Sequence, residues 1–295
     1  MNPPPNKGGI LITGASSGIG RAAAIHFAKQ GHLVFAGIRN PADADALRRE
    51  HVEGTLHPLP LDITNPAQIA LAADTVRQVL GNTGMPLLGL VNNAGIVVGG
   101  PLECLPIDDL RRQFEINVFG HVAVTQAFIE MLRPSAENPH GGRIVTLSSI
   151  AGRNTLPFVS PYSASKFALN ALFEALRMEL APWRIHVALI EPGSIDTPIW
   201  EKSMAAARQS VAGYAPEKLL HYKTALEKTR DASKNAARRG IQPDAVVRAI
   251  DHALFAGKPK NRYLVGRDAH VRARFALLPD WLKERLILRK LGISP

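Results

Sequence analysis

The chain has 295 residues, of which 46% are hydrophobic and 20% are charged. This length and composition are enough to bury a core, so they exclude a largely disordered chain and allow one large α/β domain or two small ones. Residues 221–295 carry 17 Lys and Arg against 7 Asp and Glu, whereas residues 1–220 carry 18 of each sign, so the whole net charge of +10 lies in the last quarter.

The cellular compartment is indicated by two features of the sequence. Cys104 is the only cysteine, so no intramolecular disulfide can form and a reducing cytoplasm is expected. Residues 1–9 lack the charged-then-apolar order of a secretion signal, and no run reaches the roughly 18 consecutive apolar residues that span a bilayer. We expect a cytoplasmic protein that is soluble or at most peripheral to a membrane.

Short runs rich in Val, Ile and Leu alternate with helical segments along the chain. Several of these runs are apolar at consecutive positions, which indicates strands covered by helices on both faces. The pattern predicts an α/β fold with a doubly wound parallel sheet. The predicted strands are residues 9–13, 32–38, 55–61, 87–92, 143–148, 184–190 and 262–266.

The helices between the strands have readable ends. Asn65 followed by Pro66 is typical of a helix start, Pro106 opens a long helix that ends near Arg133, and Pro243 opens another. Residues 196–240 interrupt the alternation and are a candidate lid over a substrate. We predict one domain over residues 1–295, with a basic helical extension at about 267–295.

A glycine-rich turn follows the first predicted strand. Its spacing, G-x-x-x-G-x-G over residues 14–20, differs from the commoner G-x-G-x-x-G, and an ordinary glycine turn is the alternative. Glycines let the backbone approach a pyrophosphate, and the following helix N-terminus offers free N–H groups. The predicted cofactor contacts here are Gly14, Ser16, Ser17, Gly18 and Ile19.

The end of the second strand indicates which dinucleotide binds. Sites for NAD usually carry an acid there, around 20 residues after the glycine turn, that binds the ribose 2′-hydroxyl. This chain has Arg39 instead, whose planar guanidinium can pair with a 2′-phosphate. The sequence therefore favours NADP(H), the alternative being a surface arginine at a strand end.

Tyr162 and Lys166 are four residues apart and hence on one face of a helix. A free phenol titrates near pH 10, so a proton shuttle near neutrality needs its anion stabilised, and a close ammonium can contribute to that. Tyr214 and Lys218 repeat the spacing, but only Tyr162 follows a buried strand, at residues 144–147.

A carbonyl that accepts a hydride develops negative charge on its oxygen, so a second hydrogen-bond donor is expected beside the phenol. Ser149, at the end of the fifth predicted strand, is the candidate. Ser148 is the rival if the register is shifted by one, and a serine that merely closes a turn is the alternative.

Taken together, these motifs resemble the short-chain dehydrogenase/reductases over residues 9 to about 200. The resemblance implies a seven-stranded sheet in the order 3-2-1-4-5-6-7 and a Tyr proton donor assisted by Lys and Ser. It further implies that Asn117 joins a proton relay, that Asp62 contacts the adenine and that Thr197 contacts the nicotinamide amide. The motifs that carry it are residues 13–20, Asn92-Asn93-Ala94-Gly95, Ser149, Tyr162 with Lys166, and Pro192-Gly193.

The resemblance also assigns supporting roles around the cofactor. Asn93 and Gly95 are implied to close the fourth strand beside it, and Asp62 or Thr197 could instead be caps of a helix or turn. Tyr162 and Lys166 are also expected to contact the cofactor, Lys166 at the nicotinamide ribose. The other predicted contacts lie in the stretch after the sixth strand: Pro192, Gly193, Ile195 and Thr197.

Within the family, Leu156-Pro157-Phe158 and the long C-terminal extension resemble enzymes that act on steroids, retinoids and similar lipophilic alcohols or ketones. A small substrate of this kind is expected to meet apolar contacts from Phe158, Trp200 and Met204. The family also suggests a homodimer or homotetramer. No metal site is predicted.

Two alternatives concern function and location. The chain could be a non-catalytic NADP(H) sensor or scaffold, although such a protein would not need Ser149, Tyr162, Lys166 and Asn117. Residues 271–292 are basic and amphipathic, so they could lie on an anionic membrane or pack as a helix on the domain or a neighbouring subunit. Nucleic-acid binding is not expected, because no recognition motif accompanies the charge.

Overall fold

The computed structural model describes residues 7–49, 56–198 and 216–291. Seven strands form one parallel sheet in the order β3-β2-β1-β4-β5-β6-β7, so the predicted fold class and strand order are confirmed. Every residue of β1 and β2 is buried, as expected for strands with helices on both faces. The strands are β1 (Gly9–Ile12), β2 (Leu33–Ile38), β3 (Leu56–Pro60), β4 (Leu87–Asn92), β5 (Arg143–Leu147), β6 (His186–Pro192) and β7 (Arg262–Val265).

Helices cover both faces of the sheet. The Asn65 side chain caps α3 by accepting hydrogen bonds from the backbone N–H groups of Ala67 and Gln68, and Gly84, with φ of 67°, ends it. The helices are α1 (Gly18–Lys29), α2 (Ala42–Arg48), α3 (Pro66–Thr83), α4 (Ile107–Phe114), α5 (Gly120–Phe128), α6 (Ser160–Glu179), α7 (Pro216–Arg238), α8 (Asp244–Phe255), α9 (Arg267–Phe275) and α10 (Asp280–Leu291).

The long helix predicted from Pro106 is interrupted in the structure. Helix α4 runs into a π-helical turn at Glu115–Phe119, α5 follows, and a short 3₁₀ turn at Ile129–Leu132 ends the run. A π turn inserts one extra residue into a helix and is frequent at functional sites. Here it carries Asn117.

Two apolar cores flank the sheet, one on each face. Phe27 of α1 packs with Val246 and Ile250 of α8 on one face. Phe128 of α5 and Phe173 of α6 pack with α3 on the other. The chain adds strands toward one edge of the sheet from β1 to β3 and toward the other edge from β4 to β7. The neighbours β1 and β4 therefore have connections that leave to opposite faces of the sheet. A crevice opens at their carboxyl ends, where ligands bind in open α/β sheets.

The predicted lid and extension are described in part. Helix α7 occupies the second half of residues 196–240, and Ile195 pairs with Ile241 in a short parallel bridge. Helix α9 follows β7, and α10 packs against α7. None of the helices in the described ranges combines the length and the apolar character needed to cross a membrane.

Candidate active site

The crevice at the carboxyl ends of the strands is a cavity of about 590 Å³. It extends from the end of β2, past the glycine turn, to Tyr162 and the loop after β6. The predicted site residues all line it: Gly14, Ser16, Ser17, Gly18, Ile19, Arg39, Asp62, Asn93, Gly95, Asn117, Ser149, Tyr162, Lys166, Pro192, Gly193, Ile195 and Thr197.

The glycine turn after β1 has the geometry that a phosphate contact requires. Gly14 has φ of 65°, and a Cβ there would lie 2.7 Å from the Ala94 Cα atom. Gly18 has φ of 56° and packs closely on Thr197. Side chains at these positions would strain the turn, and their Cβ atoms would press on Ala94 and Thr197. The first turn of α1 has no acidic residue, so its positive dipole end faces the cavity without a competing carboxylate.

Asn93 connects the end of β4 to the glycine turn. Its Nδ2 donates to the carbonyl oxygens of Thr13 at 2.9 Å and Gly14 at 3.0 Å. Its backbone N–H donates to Thr13 Oγ1 at 2.9 Å. A Cβ atom added at Gly95 would lie 3.4 Å from Asn117 Oδ1, so Gly95 packs closely on the Asn117 side chain. These hydrogen bonds of Asn93 therefore hold the glycine turn against the end of β4.

The far end of the cavity is rich in charged groups. Arg39 lines both the cavity and an adjoining recess of about 400 Å³, to which Arg111 and Arg112 of α4 also contribute. The predicted adenine contact Asp62 lies in the same wall, where its Oδ1 accepts hydrogen bonds from the Thr64 N–H at 2.9 Å and from Thr64 Oγ1 at 2.7 Å. Asp62 is thus a turn cap that also faces the cavity. Arg111 and Arg112 of α4 belong to no sequence motif, so the sequence analysis did not identify them as site residues.

The structure distinguishes between the two candidates for the catalytic serine, Ser149 and Ser148. Ser149 has an extended backbone, precedes a 3₁₀ turn at Ile150–Gly152, and its Oγ accepts a hydrogen bond from the Ala151 N–H at 3.1 Å. Ser149 lines the cavity together with Tyr162, and its hydroxyl acts to lower the pKa of the phenol. Ser148 Oγ donates instead to the Lys166 carbonyl at 3.5 Å. Of the two, Ser149 is the serine at the phenol.

Lys166 is almost fully buried, with 4% of its surface exposed. Its Nζ donates to the Leu147 carbonyl at 2.7 Å and lies 5.7 Å from the centroid of the Tyr162 ring. Burial lowers the pKa of this ammonium to about 7. In the protein without ligands, Lys166 therefore changes its charge near neutral pH.

The acidity of Tyr162 differs from the sequence-based expectation that Lys166 lowers it. Burial raises the pKa of the phenol above its ordinary value. Two groups act in the opposite direction, first the hydrogen bond from Ser149 and then the positive charge of Arg272. Because Lys166 is itself buried and directed to a backbone carbonyl, it does not dominate the electrostatics of the phenol.

Asn117 is fully buried in the π turn. Its Oδ1 accepts from the Ile96 N–H at 2.9 Å, and its Nδ2 donates to the Ile96 carbonyl at 3.0 Å and to Ser165 Oγ at 3.3 Å. Within the described residues, no direct hydrogen bond joins Asn117 to Lys166. The side chain of Asn117 thus supports the backbone after β4.

His121 lies one helical turn after Asn117 and was not identified from the sequence. Its Nε2 donates to the Ala94 carbonyl at 2.6 Å, and its buried Nδ1 has no partner among the described residues. Burial, with a smaller contribution from the charge of Lys166, lowers the pKa of His121 to about 3. The imidazole is therefore neutral at physiological pH.

The loop after β6 closes the opposite wall. The Gly193 N–H donates to the Val265 carbonyl at 2.9 Å, which continues the pairing with β7. The Ser194 N–H donates to Asp268 Oδ2 at 2.7 Å, so helix α9 of the C-terminal extension contacts this loop. No sequence signal marked Asp268, because the contact joins residues 74 positions apart.

The predicted apolar substrate contacts are only partly described. Phe158 adopts φ of 67°, unusual for a bulky residue, and its ring meets that of Tyr222 in α7 edge to face at 6.1 Å. Trp200 and Met204 lie outside the described residues, as does Tyr214 of the second Tyr-Lys pair. Lys218 of that pair forms an ion pair with Glu103 at 3.8 Å.

Comparison with known proteins identifies the family. The model of the short chain dehydrogenases matches residues 9–208. An NADPH-dependent 3-dehydrocapnine reductase from Ornithobacterium rhinotracheale is 35% identical over 95% of this chain and 96% of that protein. Human retinol dehydrogenase 5 is 34% identical over 90% of this chain and 83% of that protein.

A solved structure supports the same relationship. A short chain dehydrogenase from Burkholderia cenocepacia in complex with NADP is 26% identical, covers 98% of this chain and 99% of that chain, and has a TM-score of 0.70. The matched region contains the glycine turn, Ser149, Tyr162 and Lys166. The chain belongs to the short-chain dehydrogenase/reductase family of oxidoreductases.

Proposed function

We propose that this protein is an NADP(H)-dependent oxidoreductase that interconverts a lipophilic secondary alcohol and its ketone, with Tyr162 as the general acid and base. The observation that carries the proposal is that Ser149, Tyr162 and Lys166 line the same cavity as the glycine turn after β1. The proposed proton-transfer group and the proposed dinucleotide-binding turn therefore lie in the same crevice.

The cavity fits a dinucleotide on structural grounds. Gly14 and Gly18 have positive φ and pack closely on Ala94 and Thr197, which forms a tight turn at the cavity, and the N-terminus of α1 lines the same cavity. Arg39 at the far end would bind a 2′-phosphate, and the loop from Pro192 to Thr197 would hold the nicotinamide end. When bound, the nicotinamide supplies or accepts the hydride.

The remaining chemistry belongs to side chains of this chain. In the direction of reduction, the Tyr162 hydroxyl donates its proton to the substrate oxygen, on which negative charge develops. The Ser149 hydroxyl donates a second hydrogen bond to that oxygen. Lys166 binds the ribose hydroxyls and, when protonated, favours the phenolate through its charge, 5.7 Å from the ring centroid. Asn117 positions the residues after β4 and supports the proton relay.

The cofactor and substrate assignments have separate support. Arg39, with no acid at the end of β2, favours NADP(H), in line with an NADPH-dependent relative and an NADP-bound structural neighbour. The retinol dehydrogenase relative and the aromatic contact between Phe158 and Tyr222 favour a lipophilic substrate. A non-catalytic sensor gains no support from this arrangement, since cofactor binding alone would not require Ser149 at the phenol.

Replacement of Tyr162 by Phe tests the assignment. We expect Tyr162→Phe to lower kcat for ketone reduction by about 10²- to 10⁴-fold, since the proton donor is removed, while the Kd for NADPH stays unchanged. Tyr214→Phe is the matched control, because Tyr214 has the same spacing to a lysine, and it should keep wild-type turnover. Full activity of Tyr162→Phe would refute the proposal.

Assembly and membrane contact stay predictions. A homodimer or homotetramer is expected from the family. In the C-terminal extension, α10 packs against α7, whereas Leu277 and Trp281 are 84% and 65% exposed. A packed helix and a membrane-facing surface are therefore both compatible with residues 271–292, and comparison of vesicle co-sedimentation for the full chain and a chain ending at residue 270 would separate them.

A further inference from the structure

Glu191 is a fully buried carboxylate near the end of β6, directly before the Pro192-Gly193 stretch that lines the cavity. Both of its oxygens accept hydrogen bonds from arginines of other segments. Arg153 Nε donates to Oε2 at 2.6 Å, and Arg262 Nη1 of β7 donates to Oε1 at 2.5 Å. A carboxylate with two arginine partners is therefore held in the interior beside the cavity wall.

Arg153 ends the turn that begins at Ser149. In this stretch, residues 149–153, which we call the Ser149 turn, the Ser149 carbonyl accepts the Gly152 N–H at 2.9 Å. The Arg153 N–H donates to the Ile150 carbonyl at 3.1 Å and closes the turn. Because the backbone of Arg153 is part of the turn and its guanidinium is bonded to Glu191, the ion pair connects the Ser149 turn to β6.

The Ser149 turn is also bonded to the sheet and to α6. The Ser148 N–H donates to the Ile190 carbonyl at 2.8 Å, which extends the pairing of β5 with β6 by one residue. The Asn170 side chain of α6 donates to the Gly152 carbonyl at 3.1 Å. These two bonds fix the backbone before the turn and in its middle. The Arg153–Glu191 ion pair then fixes its far end, at the residue that leads into the cavity loop.

The ion pair contributes direction more than stability. The cost of taking two charges out of water often cancels their attraction, so apolar residues of similar volume can stabilise a fold equally well. Charge-assisted hydrogen bonds from arginine to a carboxylate nevertheless have a well-defined geometry. An ion pair of this kind therefore sets the position of the Ser149 turn relative to β6. Such precision is relevant to catalysis, because a displacement of about 1 Å in an active site can lower turnover by about 10²-fold.

We propose that Glu191 and Arg153 are positioning residues for the reaction. Their ion pair holds the Ser149 turn against the end of β6 and thereby sets the distance between the Ser149 hydroxyl and a substrate oxygen bound at Tyr162. Neither side chain belongs to the described residues that line the cavity, so both act through Ser149. This inference rests on the proposed function, because it takes Ser149 as a hydrogen-bond donor to the substrate oxygen.

A double-mutant cycle on turnover tests whether Arg153 acts through Ser149. The variants are Arg153→Gln, Ser149→Ala and their combination, and the assay is NADPH-dependent reduction of methyl octyl ketone or a ketosteroid, whichever the wild type reduces faster. We expect Arg153→Gln to lower kcat by about 10- to 100-fold in the wild-type background but by less than about 3-fold beside Ser149→Ala. The Kd for NADPH should stay unchanged, because Gly193 is held separately by its bond to the Val265 carbonyl.

Hydrogen exchange in the cofactor-free protein tests the link without turnover. The amides of Gly152 and Arg153 close the Ser149 turn, so Glu191→Gln should speed their exchange by about 10-fold or more. Arg153→Gln should have the same effect at Gly152. Because Arg153 is partly exposed, Arg153→Gln also covers the case in which Glu191→Gln folds poorly.

The matched control is the other ion pair of Arg262. Glu174 of α6 accepts from Arg262 Nη2 at 2.7 Å and lies about three helical turns beyond Tyr162, away from the Ser149 turn. Glu174→Gln should therefore leave kcat and the exchange of the turn amides unchanged.

Three results would overturn the proposal. They are unchanged exchange of the turn amides in both Glu191→Gln and Arg153→Gln, an equal loss of kcat in Glu174→Gln and Glu191→Gln, and a loss from Arg153→Gln that is the same with and without Ser149. Failure of the proposed function looks different, because Ser149→Ala and Tyr162→Phe would then keep the wild-type kcat. In that case the exchange rates still decide whether Glu191 holds the Ser149 turn.

Discussion

The Asp268 carboxylate accepts the Ser194 N–H at 2.7 Å, and this bond joins the C-terminal extension to the loop after β6 that lines the cavity. The same carboxylate lies where a Cβ on Gly193 would be, so Gly193 and Asp268 are in direct contact. The shape of the cofactor site therefore depends on helix α9, which lies well beyond the family's common motifs.

The first prediction concerns this contact. Gly193→Ala forces its methyl group into the Asp268 carboxylate, so the loop must shift and the affinity for NADPH should fall by about 10-fold or more. In the double variant Gly193→Ala/Asp268→Ala the clash is removed, and the loss should be smaller than the sum of the two single losses. Calorimetric Kd values for NADPH, measured for the wild type, the two single variants and the double variant, give the coupling free energy between the two positions. Additive losses would show that Gly193 is required for another reason.

The second prediction concerns cofactor choice. Arg39→Gln removes the guanidinium at the end of β2, so kcat/KM with NADPH should fall by about 10- to 100-fold while the value with NADH changes little. Arg48→Gln, an exposed arginine of α2, is the matched control and should change neither value. A wild-type enzyme that uses NADH as well as or better than NADPH would contradict the assignment to NADP(H).

Much of this site could be predicted from sequence because parallel strands place their carboxyl ends at one edge. The glycine turn after β1, Asn93 after β4, Ser149 after β5 and Gly193 after β6 each follow a buried apolar run. Local patterns find such runs, and the sheet brings their ends together. The strand order itself came from the family resemblance, since apolar runs alone do not specify neighbours.

The parts that sequence patterns missed depend on packing. The Asn154 side chain donates to the Arg272 carbonyl, 118 positions later in the chain, and no periodicity shows which helix of the extension packs there. The π turn at Asn117 adds one residue within a helical pattern that reads as continuous. The raised pKa of Tyr162 reflects desolvation, which spacing to Lys166 does not reveal.

A third prediction links Lys166 to stability. Burial lowers the pKa of Lys166 from 10.5 to about 7. Between these pH values the unfolded chain binds more protons than the folded protein does. At pH 7 or below, the folded protein bears nearly the full free-energy cost of burying the ammonium. Lys166→Met removes this cost but leaves the Leu147 carbonyl unpaired, so we expect the cofactor-free variant to gain roughly 2 kcal/mol at pH 7. Turnover should be lost.

Urea unfolding without cofactor measures this effect. The advantage of Lys166→Met should shrink as the pH rises toward 10, because the folded wild type is then neutral at Lys166 and protonation of this lysine in the unfolded chain favours unfolding less. Lys29→Met, at an exposed position of α1, should leave the unfolding free energy unchanged. A Lys166→Met protein less stable than wild type at pH 7 would show that the hydrogen bond to Leu147 outweighs desolvation.

A fourth prediction concerns acid sensitivity at His121. Its pKa is about 3 in the folded protein against 6.5 for a histidine exposed to water. As the pH falls below 6.5 the unfolded chain therefore takes up a proton that the folded protein does not, and stability is lost. His121→Asn has no such group. Between pH 6 and pH 5 the wild type should therefore lose about 1 kcal/mol more of its unfolding free energy than the variant.

Urea unfolding at both pH values measures how the unfolding free energy of each protein changes with pH. His270→Asn, at an exposed position, is the control for removal of an imidazole. Equal slopes for wild type and His121→Asn would mean that the buried imidazole can accept a proton, for example on its unpartnered Nδ1.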